Sequence, residues 1–199
     1  MANLIPWLFI IPPALVTIVA LATVLVARTP RGRARDCLRR GGQHLHRKEL
    51  DDAEALFRQG LALDPDNGPL LGTLGSLLVA QDRFADALPL LDKAATLQPR
   101  DMPIRLVLGR CLLALDQPEK ALAHWTAIPP DDTVYVDAQG LLANHAEDQQ
   151  RLHDAIQHLQ NAIAKAAVHD ARPLKKELKR VQDASLTAHP ALTPQPPLP

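Results

Sequence analysis

At 199 residues, the chain has room for one ordinary domain plus short appendages. Its 22 Lys+Arg balance 22 Asp+Glu, and only 3% of residues are aromatic, which excludes a generally basic nucleic-acid binder and a module that stacks bases on aromatic platforms. Two cysteines, Cys37 and Cys111, exclude a disulfide framework, and the Leu-, Ala- and Val-rich apolar content suits helix packing better than a β-sandwich.

From Leu4 to Ala27 there is no charged residue. At about 1.5 Å per helical residue this run reaches about 36 Å, enough for a hydrocarbon core of about 30 Å. It predicts a retained transmembrane helix over residues 1–27 rather than a cleaved signal peptide, because no Lys or Arg precedes it. Pro6, Pro12 and Pro13 leave two readings open: a kinked anchor, or a helix that starts at Pro12 with the earlier residues at the interface. Residues 28–33 read as a basic juxtamembrane linker. Arg28, Arg31, Arg33 and Arg35 then mark the cytoplasmic flank of a single-pass inner-membrane protein with its N-terminus outside.

Beyond the arginines the sequence repeats without a gap, its period being the spacing from Gly41 to Gly75. Gly41, Gly75, Gly109 and Ala143 share one column; Ala53, Ala87, Ala121 and Ala155 share a second. Phe57, Leu91, Trp125 and Leu159 form a large apolar column, and Gly60, Ala94, Ile128 and Ala162 a fourth. The small columns allow helices to approach closely, and the large column is expected to fill the space between successive repeats. Pro65 and Pro99 close the first two repeats, whereas Pro129 and Pro130 close the third early.

This period and these columns resemble the tetratricopeptide repeat family, whose helix–turn–helix unit is about 34 residues long. The resemblance spans four repeats, 34–67, 68–101, 102–135 and 136–169, and is plainest in AEALFRQGLALDPDN (53–67) and ADALPLLDKAATLQP (85–99). The first-helix column where the family favours a large aromatic reads His44, Leu78, Leu112 and Ala146. A capping helix is predicted over 170–186, with Leu174, Leu178 and Val181 on one stripe and Lys175, Lys176, Lys179 and Arg180 on the other face. The proline-rich residues 187–199 read as a disordered tail. The expected fold is therefore all-α: one N-terminal transmembrane helix, a helical solenoid of about four helix–turn–helix repeats, and a capping helix.

The sequence carries none of the common catalytic constellations. There is no phosphate-cradling glycine loop, no GxSxG elbow and no HExxH helix. His153 and His158 lie five apart, and His44 and His46 two apart, so neither pair shares a helix face for a metal. Asp51, Asp52 and Glu54 cluster at the start of a second helix, where acids favour the positive dipole end. The expectation is a protein that is not an enzyme, with no cofactor, metal, small-molecule substrate or nucleic-acid partner.

The resemblance implies instead a groove lined by the first helices of the repeats. Its positions carry over to Leu38, Gly42 and Leu45; to Gly72, Ser76, Val79 and Ala80; to Leu106, Arg110, Leu113 and Ala114; and to Gly140, Asn144, Glu147 and Asp148. Gly42 and Ser76 stand where one branch of the family holds a carboxylate with asparagines, so the implied groove is apolar and shallow, with Arg110 as its central cation. Such a surface suits an amphipathic helix or an apolar peptide. The function expected is a non-catalytic, membrane-anchored scaffold that binds a membrane-associated protein partner during assembly or regulation of a membrane-associated complex. Two alternatives stand beside it: a structural subunit of an integral membrane complex held through the transmembrane helix, and a regulatory partner of an enzyme or protease.

Overall fold

The computed structural model describes residues 29–167 and 171–188. Nine helices occur among the described residues: α1 (Pro30–His46), α2 (Leu50–Leu63), α3 (Gly68–Ala80), α4 (Phe84–Leu97), α5 (Met102–Ala114), α6 (Pro118–Thr126), α7 (Tyr135–Asp148), α8 (Leu152–Lys165) and α9 (Ala171–Ala188). They fall into two compact units, the first ending at Leu77 and the second beginning at Leu78 within α3.

The helix boundaries follow from local chemistry. Thr29 Oγ1 accepts from the Gly32 N–H at 3.0 Å, and Pro30 opens α1 with a preset φ and no donor to lose. Asp101 does the same for α5, accepting from the Ile104 N–H at 3.3 Å. Between the two helices of every repeat the chain passes through the left-handed region, at Lys48, Asp82, Asp116 and Gln150, with φ between 57 and 62°. In the first turn Lys48 N–H donates to Leu45 O (2.9 Å) and Glu49 N–H to His44 O (3.0 Å), the paired bonds of a Schellman motif. The second bond recurs from Arg83 to Leu78, Gln117 to Leu112 and Arg151 to Ala146, so the period is written in the backbone as well as in the side chains.

In the first unit, Ala34, Cys37 and Gly41 of α1 are buried, as are Ala53, Phe57 and Gly60 of α2. A Cβ on Gly41 would lie 2.3 Å from Phe57 Cε1, and one on Gly60 would lie 2.7 Å from Leu70 Cδ1. In the second unit, a Cβ on Gly109 would lie 2.2 Å from the Trp125 indole nitrogen. The Phe57 and Trp125 rings thus lie on the glycine of their own repeat. Gly75, Ala87, Leu91 and Ala121 are also buried. At the C-terminal end, Val181 of α9 packs with Ala143 and Ala146 of α7 and Ala155 and Leu159 of α8, while Leu174 and Leu178 lie against this cluster. Arg180 Nη2 reaches across to Glu147 at 2.6 Å, tying α9 to α7.

No helix among the described residues is long and apolar enough to cross a membrane. Even the longest, α1 with 17 residues and α9 with 18, carry strongly charged faces. The expected fold is thus corrected, among the described residues, to an all-helical solenoid without a membrane-crossing helix; the transmembrane helix expected over 1–27, on which the single-pass inner-membrane placement rested, lies outside those residues. Arg28 and residues 189–199 of the expected tail also lie outside them. Arg31, Arg33 and Arg35 are exposed on α1, which already begins at Pro30 within the span read as a linker.

Candidate partner-binding site

The second unit contains a cavity of about 860 Å³. Helix α5 contributes Leu106 and Arg110, and α7 contributes Val136, Gly140 and Asn144 at intervals of one helical turn, with Asp137 and Leu141 beside them. The α8–α9 connection closes one end through Lys165, Ala166 and Ala167, followed by Pro173 and Leu174 of α9.

Each wall is held from behind. Trp125, fully buried on α6, donates its indole N–H to Leu106 O at 3.1 Å, which fixes the α5 backbone at the cavity wall. Gln139, buried and adjacent to Gly140, pairs with His158 Nδ1 of α8 at 2.8 Å. Burial pushes the His158 imidazole below its usual pKa; Asp154 opposes that shift and Arg151 adds to it. The neutral ring can then donate Nδ1–H to the Gln139 amide oxygen. Asp132 Oδ1 accepts from the Val134 N–H at 3.0 Å and shapes the entry to α7. Cys111 is spent in packing: its thiol donates to Phe84 O at 3.2 Å, and burial raises its pKa.

The cavity is therefore of mixed character, with aliphatic surface set among polar and charged groups. Leu106, Val136, Leu141 and Leu174 supply aliphatic surface, and a Cβ on Gly140 would meet nothing within 4 Å, so the floor is open there. Arg110 and Lys165 are exposed cations and Asp137 an exposed acid. The lining holds no histidine or cysteine to activate the Thr133 hydroxyl. Such a surface can bind and orient a chain segment.

Of the residues expected on a groove, Leu106, Arg110, Gly140 and Asn144 come together in this cavity. Leu113 is half-buried on α5 and does not line it, and Val79 is buried at 6% exposure, too enclosed for a partner to reach. In the first unit Leu38 and Leu45 are half-buried on α1, and the space beside Gly42 is open. Ser76 donates its hydroxyl to Gly72 O at 2.8 Å and is thereby occupied. The end wall of the cavity went unread because Leu174 registers in the sequence only as part of an apolar stripe, and Lys165 follows no repeat column.

A second cluster was also missed. His44 Nδ1 of α1 lies 2.7 Å from Glu49 Oε2 and 3.9 Å from Asp52 Oδ2 of α2. Single-helix spacing cannot reveal it, since its members face each other across the turn at Lys48.

No curated protein matches the chain. Among solved structures, the chain is similar to PilW, a widely conserved type IV pilus biogenesis factor, with a TM-score of 0.66 and 18% identity over 92% of this chain and 90% of that one. It is similar to MamA, with a TM-score of 0.61 and 18% identity over 84% and 98% of the two chains. It is also similar to YrrB, a TPR protein with an unusual peptide-binding site, with a TM-score of 0.60 and 25% identity over 69% and 71%. At so low an identity, the likenesses to PilW and MamA carry the fold alone. The tetratricopeptide repeat description matches residues 44–87 and 78–145, more than half of the sequence. The chain belongs to the tetratricopeptide repeat family.

Proposed function

We propose that this protein is a non-catalytic scaffold that binds a segment of a protein partner, an amphipathic helix or an apolar peptide, in the cavity of its second unit. The observation that carries the reading is the convergence of Leu106 and Arg110 of α5 with Gly140 and Asn144 of α7 on one cavity that sets aliphatic surface beside exposed charges. A segment with an apolar stripe and a flanking acid fits: aliphatic side chains fill the space over Gly140 while the acid meets Arg110 or Lys165. The similarity to YrrB, whose peptide-binding site is known, supports a peptide as occupant. The role that follows is holding a partner during assembly or regulation of a larger complex.

A photo-crosslinking amino acid at Asn144, which is exposed in the cavity, tests this against the same residue at Glu119, exposed on α6 outside it. One partner should crosslink from position 144 and not from 119, and Arg110→Glu should remove it, because the change is exposed and reverses the rim charge. Equal crosslinking from both positions, unaffected by Arg110→Glu, would refute the reading.

A further inference from the structure

We propose that the corner between α1 and α2 is a binding site for a divalent transition-metal ion, with His44, Glu49 and Asp52 as its ligands. The four repeats supply an internal comparison. The residue opening the second helix and the residue three positions later meet at each remaining corner: Arg83 with Asp86 at 3.0 Å, Gln117 with Lys120 at 2.8 Å, and Arg151 with Asp154 at 2.9 Å. Each of those corners contains its own positive charge. At the same two positions the first repeat carries Glu49 and Asp52, so the cation is replaced by a second carboxylate. It also carries His44 where the others have Leu78, Leu112 and Ala146.

The change is thus threefold in one place: a cation lost, an acid gained, and a nitrogen ligand added. The Schellman turn aligns the three. His44 is the residue whose carbonyl receives the Glu49 N–H, which brings the two side chains together, and the Glu49 carboxylate makes no capping hydrogen bond to its own helix. It turns instead to the imidazole at 2.7 Å. The three ligand atoms lie within 4.8 Å of one another. Around an ion with bonds of about 2.0–2.2 Å, ligand atoms lie no more than about 4.3 Å apart, so side-chain adjustments of under about 1 Å complete the set. His44 and Asp52 also border a cavity of about 320 Å³, with the exposed Arg40 on its rim, which gives the ion an entry path.

One imidazole with two carboxylates suits zinc and its neighbours in the transition series; calcium and magnesium favour oxygen-only sites. Three protein ligands leave a coordination position for water or for a donor from another molecule. On binding, the ion replaces the direct contact between His44 Nδ1 and Glu49 Oε2.

The experiment is calorimetric titration of Zn²⁺ into the untagged full chain, stripped of metal by chelator, at constant pH. One equivalent should bind, and zinc should raise the melting temperature. Glu49→Arg installs the arginine of the second and fourth repeats opposite Asp52, and His44→Leu installs the leucine of the second and third, so both retain a corner this fold already builds. Either variant should weaken the site by about tenfold or more and abolish the zinc-dependent rise, while the other seven histidines of the eight in the chain remain as background. Absence of a one-equivalent site in the natural chain, or equal binding by folded Glu49→Arg, overturns the assignment.

Discussion

Gly109→Ala isolates the contact on which the second unit's packing depends. A Cβ at this position would lie 2.2 Å from Trp125 Nε1 and 2.7 Å from both Cδ1 and Cε2, whereas ordinary contact begins at 3.4 Å. The indole must therefore retreat by about 1.2 Å, and it is rigid, fully buried and tied to Leu106 O. Overpacking of this kind costs about 1–3 kcal/mol, and stretching the indole hydrogen bond about 1 kcal/mol more. Relief of glycine's entropy in a helix returns about 0.5–1 kcal/mol. The net expectation is destabilisation by about 1–3 kcal/mol, read as a lower midpoint in urea unfolding followed by far-UV circular dichroism. Gly42→Ala and Gly140→Ala serve as opposite controls: their added methyl groups meet nothing within 4 Å, so each should stabilise by about 0.5–1 kcal/mol. If Gly109→Ala unfolds at or above the natural midpoint while the controls behave as stated, the claim that the indole requires a glycine beneath it is wrong.

Two further outcomes follow from the turns and the buried imidazole. Asp116 holds φ at 57° on an exposed turn, so Asp116→Gly should leave the fold intact and raise stability by about 0.5–1 kcal/mol, the left-handed strain relieved less the added chain entropy; a lowered urea midpoint would show that the aspartate side chain is needed there. His158 has a folded pKa below its usual 6.5, so on acidification the unfolded chain takes up the proton first. Its contribution is therefore complete above pH 6.5 and is lost as pH falls through that value toward the folded pKa. His158→Gln can still bond to Gln139 but cannot charge, and the natural chain should lose stability relative to this variant between pH 7.5 and pH 5.5. A stability difference independent of pH would mean that His158 ionises equally in both states.

The repeat was readable from the sequence because close approach leaves a compositional trace. Gly41 lies under Phe57, and Gly109 under Trp125, and in both cases a methyl group would collide with a ring. The turns left no such trace. Their left-handed residues are Lys48, Asp82, Asp116 and Gln150, none of them glycine, because the paired Schellman hydrogen bonds hold the conformation against the side-chain cost. The site was readable in part for a related reason. Leu106, Arg110, Gly140 and Asn144 occupy repeat positions and can be projected from one repeat to the next. Lys165, Pro173 and Leu174 enter through a connection and a helix that no repeat dictates.

Helix α9 joins the two roles of the second unit. Its Val181 seals the small-residue seam of Ala143, Ala146, Ala155 and Leu159, burying surface that would otherwise face water at the end of the repeats. About two turns earlier, Pro173 and Leu174 of the same helix form a wall of the cavity. A capping element ordinarily serves stability alone, but here its seating also sets the width of the cavity proposed to hold a partner. The bond from Arg180 to Glu147 fixes that seating against α7, the helix that carries Gly140 and Asn144 to the opposite wall. Loosening the seam therefore moves one wall relative to the other, so affinity at the proposed site is expected to depend on residues that no partner touches. The reciprocal holds by linkage: an occupant bridging α7 and α9 must stabilise the docked helix by its preference for that arrangement.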